Sequence, residues 1–195
     1  MTAIDLQRHV LPSPLLQTHV TPSLAASCYS LCLAIGLEGN GMLSTHTPQG
    51  HRLRLGRSSQ QGQIYLITTV LQNRRPLFTD HSLARLLIHE LRAAHEHNWA
   101  ASLAWVVMPD HLHWLLQLEQ HSLPEVVRRI KNNSARHINR QIGLDGSIWQ
   151  KGYHDRTIRH EDDLIAIARY VVANPLRAGL VSRIGDYPLW DAVWL

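Results

Sequence analysis

The chain has only two cysteines in 195 residues, Cys28 and Cys32, both in one short segment. That scarcity excludes a disulfide-stapled scaffold and suits a reducing compartment. Long apolar runs are missing as well. The longest mostly apolar stretch, residues 24–37, falls short of the roughly 20 residues a membrane-spanning helix needs. It also lacks the basic flank of a signal peptide. The expectation is a cytoplasmic protein with no membrane partner. Standard hydrolytic motifs are absent too. His89-Glu90 opens like a zinc-protease helix, but Ala93 stands where its second histidine belongs. Gly56-Arg57-Ser58 fails the nucleophile-elbow pattern at Gln60, and there is no phosphate-binding P-loop.

What is present is a 45% hydrophobic chain, enough for one ordinary core and hardly enough for two. The formal net charge is +4 and the pI is near 9.4. The excess is local: residues 121–160 carry eight lysines and arginines against Glu125, Asp145 and Asp155. A phosphate backbone is the commonest partner for such a stripe, although a solvated helix face has the same composition.

Residues 1–50 hold Pro12, Pro14, Pro22 and Pro48 without sustained periodicity, and are expected to be a mostly irregular extension, with Met42 a candidate start. The compact domain is expected over 51–195. Residues 64–71 read as a strand, followed by a turn at 73–76. A helix capped by Ser82 carries Leu83, Leu86, Leu87, Leu91 and Ala94 at helical spacing. Residues 103–108 and 111–118 read as a hairpin about Pro109-Asp110. Ser122, Pro124 and Glu125 then mark the start of a helix that Gly143 ends. Its apolar stripe includes Val126, Val127, Ile130 and Ile138, and its other face carries Arg128, Arg129, Lys131, Arg136 and Arg140. Residues 149–159 fit either a strand or a short helix. A last helix is expected to start at the acidic residues 161–163 and stop at Asn174-Pro175. The order predicts an α+β, ferredoxin-like β-α-β-β-α-β core with an antiparallel sheet and an additional C-terminal helix. The helices are expected on one face, with the other open to a ligand.

Fourteen histidines make chance pairs common, and two His-x-His pairs occur. His95 and His97 fall at a helix end, where residues two apart point to different sides. His111 and His113 fall on a strand, where residues two apart share a face. Leu112, Trp114, Leu116 and Leu118 take the opposite, buried face. Two imidazoles so placed can hold a divalent cation, although a partly exposed pair with ordinary hydrogen bonds has the same spacing. Tyr153 lies among Lys151, Arg156 and Arg159, a setting that favours tyrosinate and holds a phosphate beside it. Tyr65 and Tyr170 fall within apolar patterns and read as packing residues.

Three ordered motifs complete the pattern: Met108-Pro109-Asp110-His111-Leu112-His113-Trp114, Trp149-Gln150-Lys151-Gly152-Tyr153-His154-Asp155, and the segment from Tyr170 through Asn174-Pro175 to Val181. Together they resemble the REP-associated tyrosine transposases, relatives of the single-tyrosine (HUH) insertion-sequence transposases, from about His51 to the C-terminus. The resemblance implies a metal-dependent transposase and endonuclease that cleaves and rejoins single-stranded DNA at repetitive extragenic palindromic hairpins through a 5′-phosphotyrosine. It implies His111 and His113 as ligands of Mg²⁺ or Mn²⁺ and Tyr153 as the nucleophile. Insertion-sequence relatives carry a glutamine ligand one helical turn after the tyrosine, where this chain has Thr157. Expected DNA contacts are Arg128, Arg129, Lys131, Arg136 and Arg140 along a groove, with Lys151, Arg156 and Arg159 near the cut. Arg52, Arg54 and Arg57 are expected to reach bases or the hairpin stem. The competing reading is a non-catalytic hairpin-binding module for DNA or RNA on the same fold. Such modules display stacking aromatics on the open sheet face, where this chain offers His111, His113 and Gln117.

Overall fold

A computed structural model of the chain describes residues 59–159 and 164–194. The expected irregular region 1–50, Arg52, Arg54 and Arg57, and the acidic residues 161–163 lie outside the described residues.

Strand β1, Ile64–Val70, begins the domain, and its alternating burial marks two distinct faces. Helix α1, His81–Glu96, follows. Its cap is Asp80 rather than Ser82. The Asp80 carboxylate accepts the Ser82 N–H at 2.8 Å, so Ser82 is already inside the first turn. Strands β2, Ala100–Met108, and β3, His111–Leu118, form the expected hairpin, with β2 starting three residues earlier than the pattern suggests. Helix α2, Leu123–Ile142, has the expected bounds. The Glu125 carboxylate accepts from both the N–H and the hydroxyl of Ser122, and Gly143 ends the helix at φ +66. The ambiguous segment resolves as strand β4, His154–Ile158. Helix α3, Leu164–Val172, is followed by the single turn α4, Asn174–Arg177, and the short strand β5, Trp190–Ala192. Asn174 turns the chain between the two helices: its amide donates to the carbonyls of Tyr170 and Val171.

The five strands lie in the order β4-β1-β3-β2-β5, every neighbouring pair antiparallel. The first four follow the order of a ferredoxin-like sheet, and β5 extends it beyond β2. Tyr187 secures that extension by donating its hydroxyl to the Val107 carbonyl at 2.7 Å.

Two apolar clusters cover the two faces. Leu112, Trp114 and Leu116 pack with Leu87 and Leu91 of α1 and Val126 and Ile130 of α2. On the reverse side Ala104, Val106, Met108 and Leu115 pack under Ala168, Val171 and Val172 of α3. The expected open face is therefore half covered. Helix α3 lies against β2, β3 and β5, and its apolar stripe supplies the second layer.

Candidate active site on the covered face of the sheet

The period of two along β3 sends His111, His113 and Leu115 to the α3 side and Leu112, Trp114 and Leu116 to the α1–α2 side. Both imidazoles are buried, 7% and 5% exposed. Their rings meet nearly edge to face at 86°, and the two Nε2 atoms are 3.1 Å apart. Each Nδ1 already has a partner. That of His111 lies 2.5 Å from Asp110 Oδ1, and that of His113 lies 2.8 Å from Thr68 Oγ1. The other Asp110 oxygen accepts from Arg74 at 2.8 Å. Asn73 and Arg74, both at positive φ, make the tight turn that brings this arginine to the carboxylate.

The electrostatics follow from this packing. Burial first, then the neighbouring His111 and Arg177, push His113 well below the ordinary imidazole range. Burial opposes ionisation of Asp110, but the hydrogen bond and charge of His111 and the Arg74 guanidinium outweigh it and lower its carboxyl. When Asp110 and Thr68 each accept an Nδ1–H, two Nε2 lone pairs face each other across a buried gap. A shared proton or a cation relieves that opposition. Two nitrogens bound to one cation at about 2.1 Å and at right angles stand about 3.0 Å apart, close to the separation here. The imidazole pair therefore fits a divalent ion. Among the described residues no third histidine, cysteine or carboxylate joins it.

The structure separates the two tyrosines that matter. Tyr153 packs against the α1–α2 cluster, on the side of the sheet away from the imidazoles. The structure therefore does not bring Tyr153 together with His111 and His113. It precedes β4, in which Ile158 faces α3, so side-chain alternation turns Tyr153 and Thr157 the other way. Thr157 is thereby also removed from the metal pair. Tyr170, read from sequence as a packing residue, lies half-buried on α3, the helix covering the imidazole side. The Arg177 guanidinium carbon lies 3.9 Å from the centre of its ring. The charge of the same arginine acts on His113. Tyr170 and Arg177 thus lie on the same side of the sheet as the imidazole pair. The sequence signal that could have singled out Tyr170 is its place seven residues before Arg177 and four before Asn174, within the third motif.

The basic residues do not converge on the site as a set. Helix α2 lies on the far face, so its exposed Arg128, Arg136 and Arg140 are separated from the imidazoles by the sheet. Arg129 stacks over Trp99 at 4.7 Å. Lys131 donates to the carbonyls of Gln150 and Gly152 at 2.7 and 2.5 Å and so clamps the loop before β4. Lys151 and Arg159 are exposed at the two ends of β4, and Arg156 is exposed on the imidazole face. His97 closes the end of α1 through a 2.7 Å bond between its Nδ1 and the Ala93 carbonyl, as the helix-end reading expects.

Comparison with known proteins supplies the rest. The family profile described as "Transposase IS200 like" matches residues 59–174, from just before β1 to Asn174. A Haemophilus influenzae protein described as a candidate REP-associated tyrosine transposase is 30% identical over 148 residues, covering 68% of this chain and 81% of that one. The REP-associated tyrosine transposase of Escherichia coli K12 is 28% identical over 132 residues, covering 66% of this chain and 75% of that one. A solved REP-associated tyrosine transposase bound to a REP hairpin is similar with a TM-score of 0.58 and 26% identity, covering 69% of this chain and 79% of that one. Among the described residues no helix is long and apolar enough to cross a membrane. With this profile match and these relatives, the chain belongs to the IS200-like transposase family, among its REP-associated tyrosine transposases.

Proposed function

We propose that this protein cleaves and rejoins single-stranded DNA beside a REP-type hairpin, with His111 and His113 as metal ligands and Tyr170 as the nucleophile. The observation carrying this reading is the placement of Tyr170 and Arg177 on the face of the sheet that also holds the imidazole pair. Tyr153 sits on the other face. Taking Tyr170 as the nucleophile also resolves the ligand pattern. The position one helical turn later is then Asn174, which carries an amide oxygen like the glutamine of insertion-sequence relatives. Its nitrogen is committed to helix carbonyls, which leaves the oxygen as its ligating atom.

In this reading the Tyr170 hydroxyl oxygen attacks the scissile phosphorus. The bond to the 3′-oxygen breaks, and that oxygen leaves with the electron pair and takes up a proton. The products are a 5′-phosphotyrosine and a free 3′-hydroxyl. Because the ester is retained, a 3′-hydroxyl can reverse the attack and join strands. The Arg177 guanidinium, stacked on the Tyr170 ring, supplies positive charge beside the attacking group. Bound Mg²⁺ or Mn²⁺ would polarise the phosphate and offset its developing charge. Asp110 and Thr68 orient the two imidazoles through Nδ1 so that both Nε2 atoms point to one place.

The test is covalent adduct formation with a hairpin-bearing single-stranded oligonucleotide. Wild type and Tyr153→Phe should form the adduct, while Tyr170→Phe, His111→Ala and EDTA should each abolish it. Loss with Tyr153→Phe and retention with Tyr170→Phe would return the role to Tyr153. Salt-sensitive hairpin binding without an adduct under any divalent ion would favour a binding module.

A further inference from the structure

At the register positions of His113 and Leu115, burial on the imidazole side of the sheet falls stepwise from β3 to β4, whereas Ile158, the next β4 side chain on that face, is buried under α3. His111, His113 and Leu115 on β3 are buried, and Ile64, Leu66 and Thr68 on β1 are half-buried. His154 and Arg156, the first two side chains of β4 on that face, are exposed. The register fixes their order: His154 pairs with Thr68, which pairs with His113, and Arg156 pairs with Leu66, which pairs with Leu115. Directly paired residues in an antiparallel sheet point to the same face. Helix α3 lies against β2, β3 and β5, so the gradient is that of a shelf left beside the helix.

We propose that the single strand carrying the scissile phosphate lies along this shelf, over Thr68 and Leu66, with His154 and Arg156 holding the phosphates next to it. The proposal deepens the function above and rests on it. Neighbouring strands are about 4.8 Å apart, so β4 stands roughly 10 Å from the imidazole strand, a width that admits one nucleotide strand and excludes a duplex. His154 and Arg156 are two residues apart, about 6.7 Å along the strand, so they can hold successive linkages of an extended backbone. The floor is chemically suited to the task. Leu66, half-buried, offers apolar contact to sugars, and Thr68 is already turned to His113 through its hydroxyl. Asp155, the acidic residue between His154 and Arg156, pairs with Ile67 and points to the opposite face. No carboxylate of β4 therefore shares the shelf. Neither residue touches the reacting atoms, and both act by positioning.

The experiment measures adduct formation on a hairpin with a single-stranded flank, at varied oligonucleotide concentration and salt. His154→Ala and Arg156→Ala should each raise the oligonucleotide concentration for half-maximal rate about tenfold, with a smaller change in the maximal rate. Arg156→Lys should recover part of the loss. For Arg156→Ala the salt slope of single-strand binding should fall by about 0.7, one phosphate contact. Replacing the phosphate beside the scissile linkage with an uncharged methylphosphonate should reproduce the Arg156→Ala defect and add nothing to it. Mn²⁺ binding to the imidazole pair should be unchanged in both variants, separating positioning from damage to the fold. Wild-type half-saturation and salt slope in both variants would overturn the shelf while leaving the function intact. Absence of adduct with wild type would instead strike the function itself.

Discussion

The Arg177 guanidinium carbon sits 3.9 Å from the centre of the Tyr170 ring, and the same side chain donates to the Tyr170 carbonyl at 2.5 Å. The α4 turn makes this possible, because Asn174 folds the chain back so that a residue seven positions later reaches the same tyrosine. Removing the cation should leave the phenol in place and weaken its attack. Arg177→Met is expected to slow adduct formation on the order of a hundredfold. Since Arg177 is exposed, its thermal midpoint should stay close to that of wild type. Stopped-time adduct assays beside thermal melts check both halves.

The imidazole pair depends on what holds its Nδ1 atoms. Thr68→Val and Asp110→Ala should each weaken Mn²⁺ binding by roughly 10–100-fold while leaving both ligands present. Calorimetric titration of the metal into EDTA-treated protein measures this. Unchanged affinity in both variants would show that the two hydrogen bonds do not orient the rings.

Helix α1 tests the corrected cap. Asp80→Ala should cost about 1 kcal/mol, whereas Ser82→Ala should cost less. The hydrogen bonds from Ser82 hold the Asp80 carboxyl below its ordinary value of 3.8. A carboxyl lowered on folding contributes fully above its unfolded value and loses that contribution as pH falls through the folded one. The stability gap between wild type and Asp80→Ala in urea should therefore be full at neutral pH and shrink below about pH 4.

Lys131 and Arg136 share the polar side of α2 and should behave differently. Lys131 holds two carbonyls of the loop before β4, and Lys131→Met is expected to cost roughly 1–3 kcal/mol of stability. Its salt slope for hairpin binding should match wild type. Arg136 is exposed, and if the stem lies along α2, Arg136→Met should reduce that slope by about 0.9 with little loss of stability. Equal slopes in both variants would place the stem elsewhere.

Much of the fold was readable residue by residue. The capping box at Ser122 and Glu125 and the left-handed Gly143 fixed α2 at both ends through bonds within four residues. The hairpin about Pro109-Asp110 and the alternation of β3 likewise rest on local chemistry. The start of α1 is not legible locally, because Asp80 and Ser82 are both good caps and only backbone geometry chooses between them. Residues 149–159 stayed ambiguous because β4 is polar and exposed, with no apolar periodicity to reveal it.

The sequence by itself determined that His111 and His113 share a face, since a strand repeats every two residues whatever surrounds it. It also determined family membership, through three ordered motifs. Only the tertiary structure decided which tyrosine lies on the imidazole side of the sheet. Tyr153 is close in sequence to many cations, yet the twofold alternation near β4 turns it to the α1–α2 core. Tyr170 looks like a packing residue in its own segment, and the docking of α3 onto the second face of the sheet brings it to the histidine side. That choice depends on apolar contacts between residues more than fifty positions apart, such as Leu115 with Val171, and no local pattern encodes it.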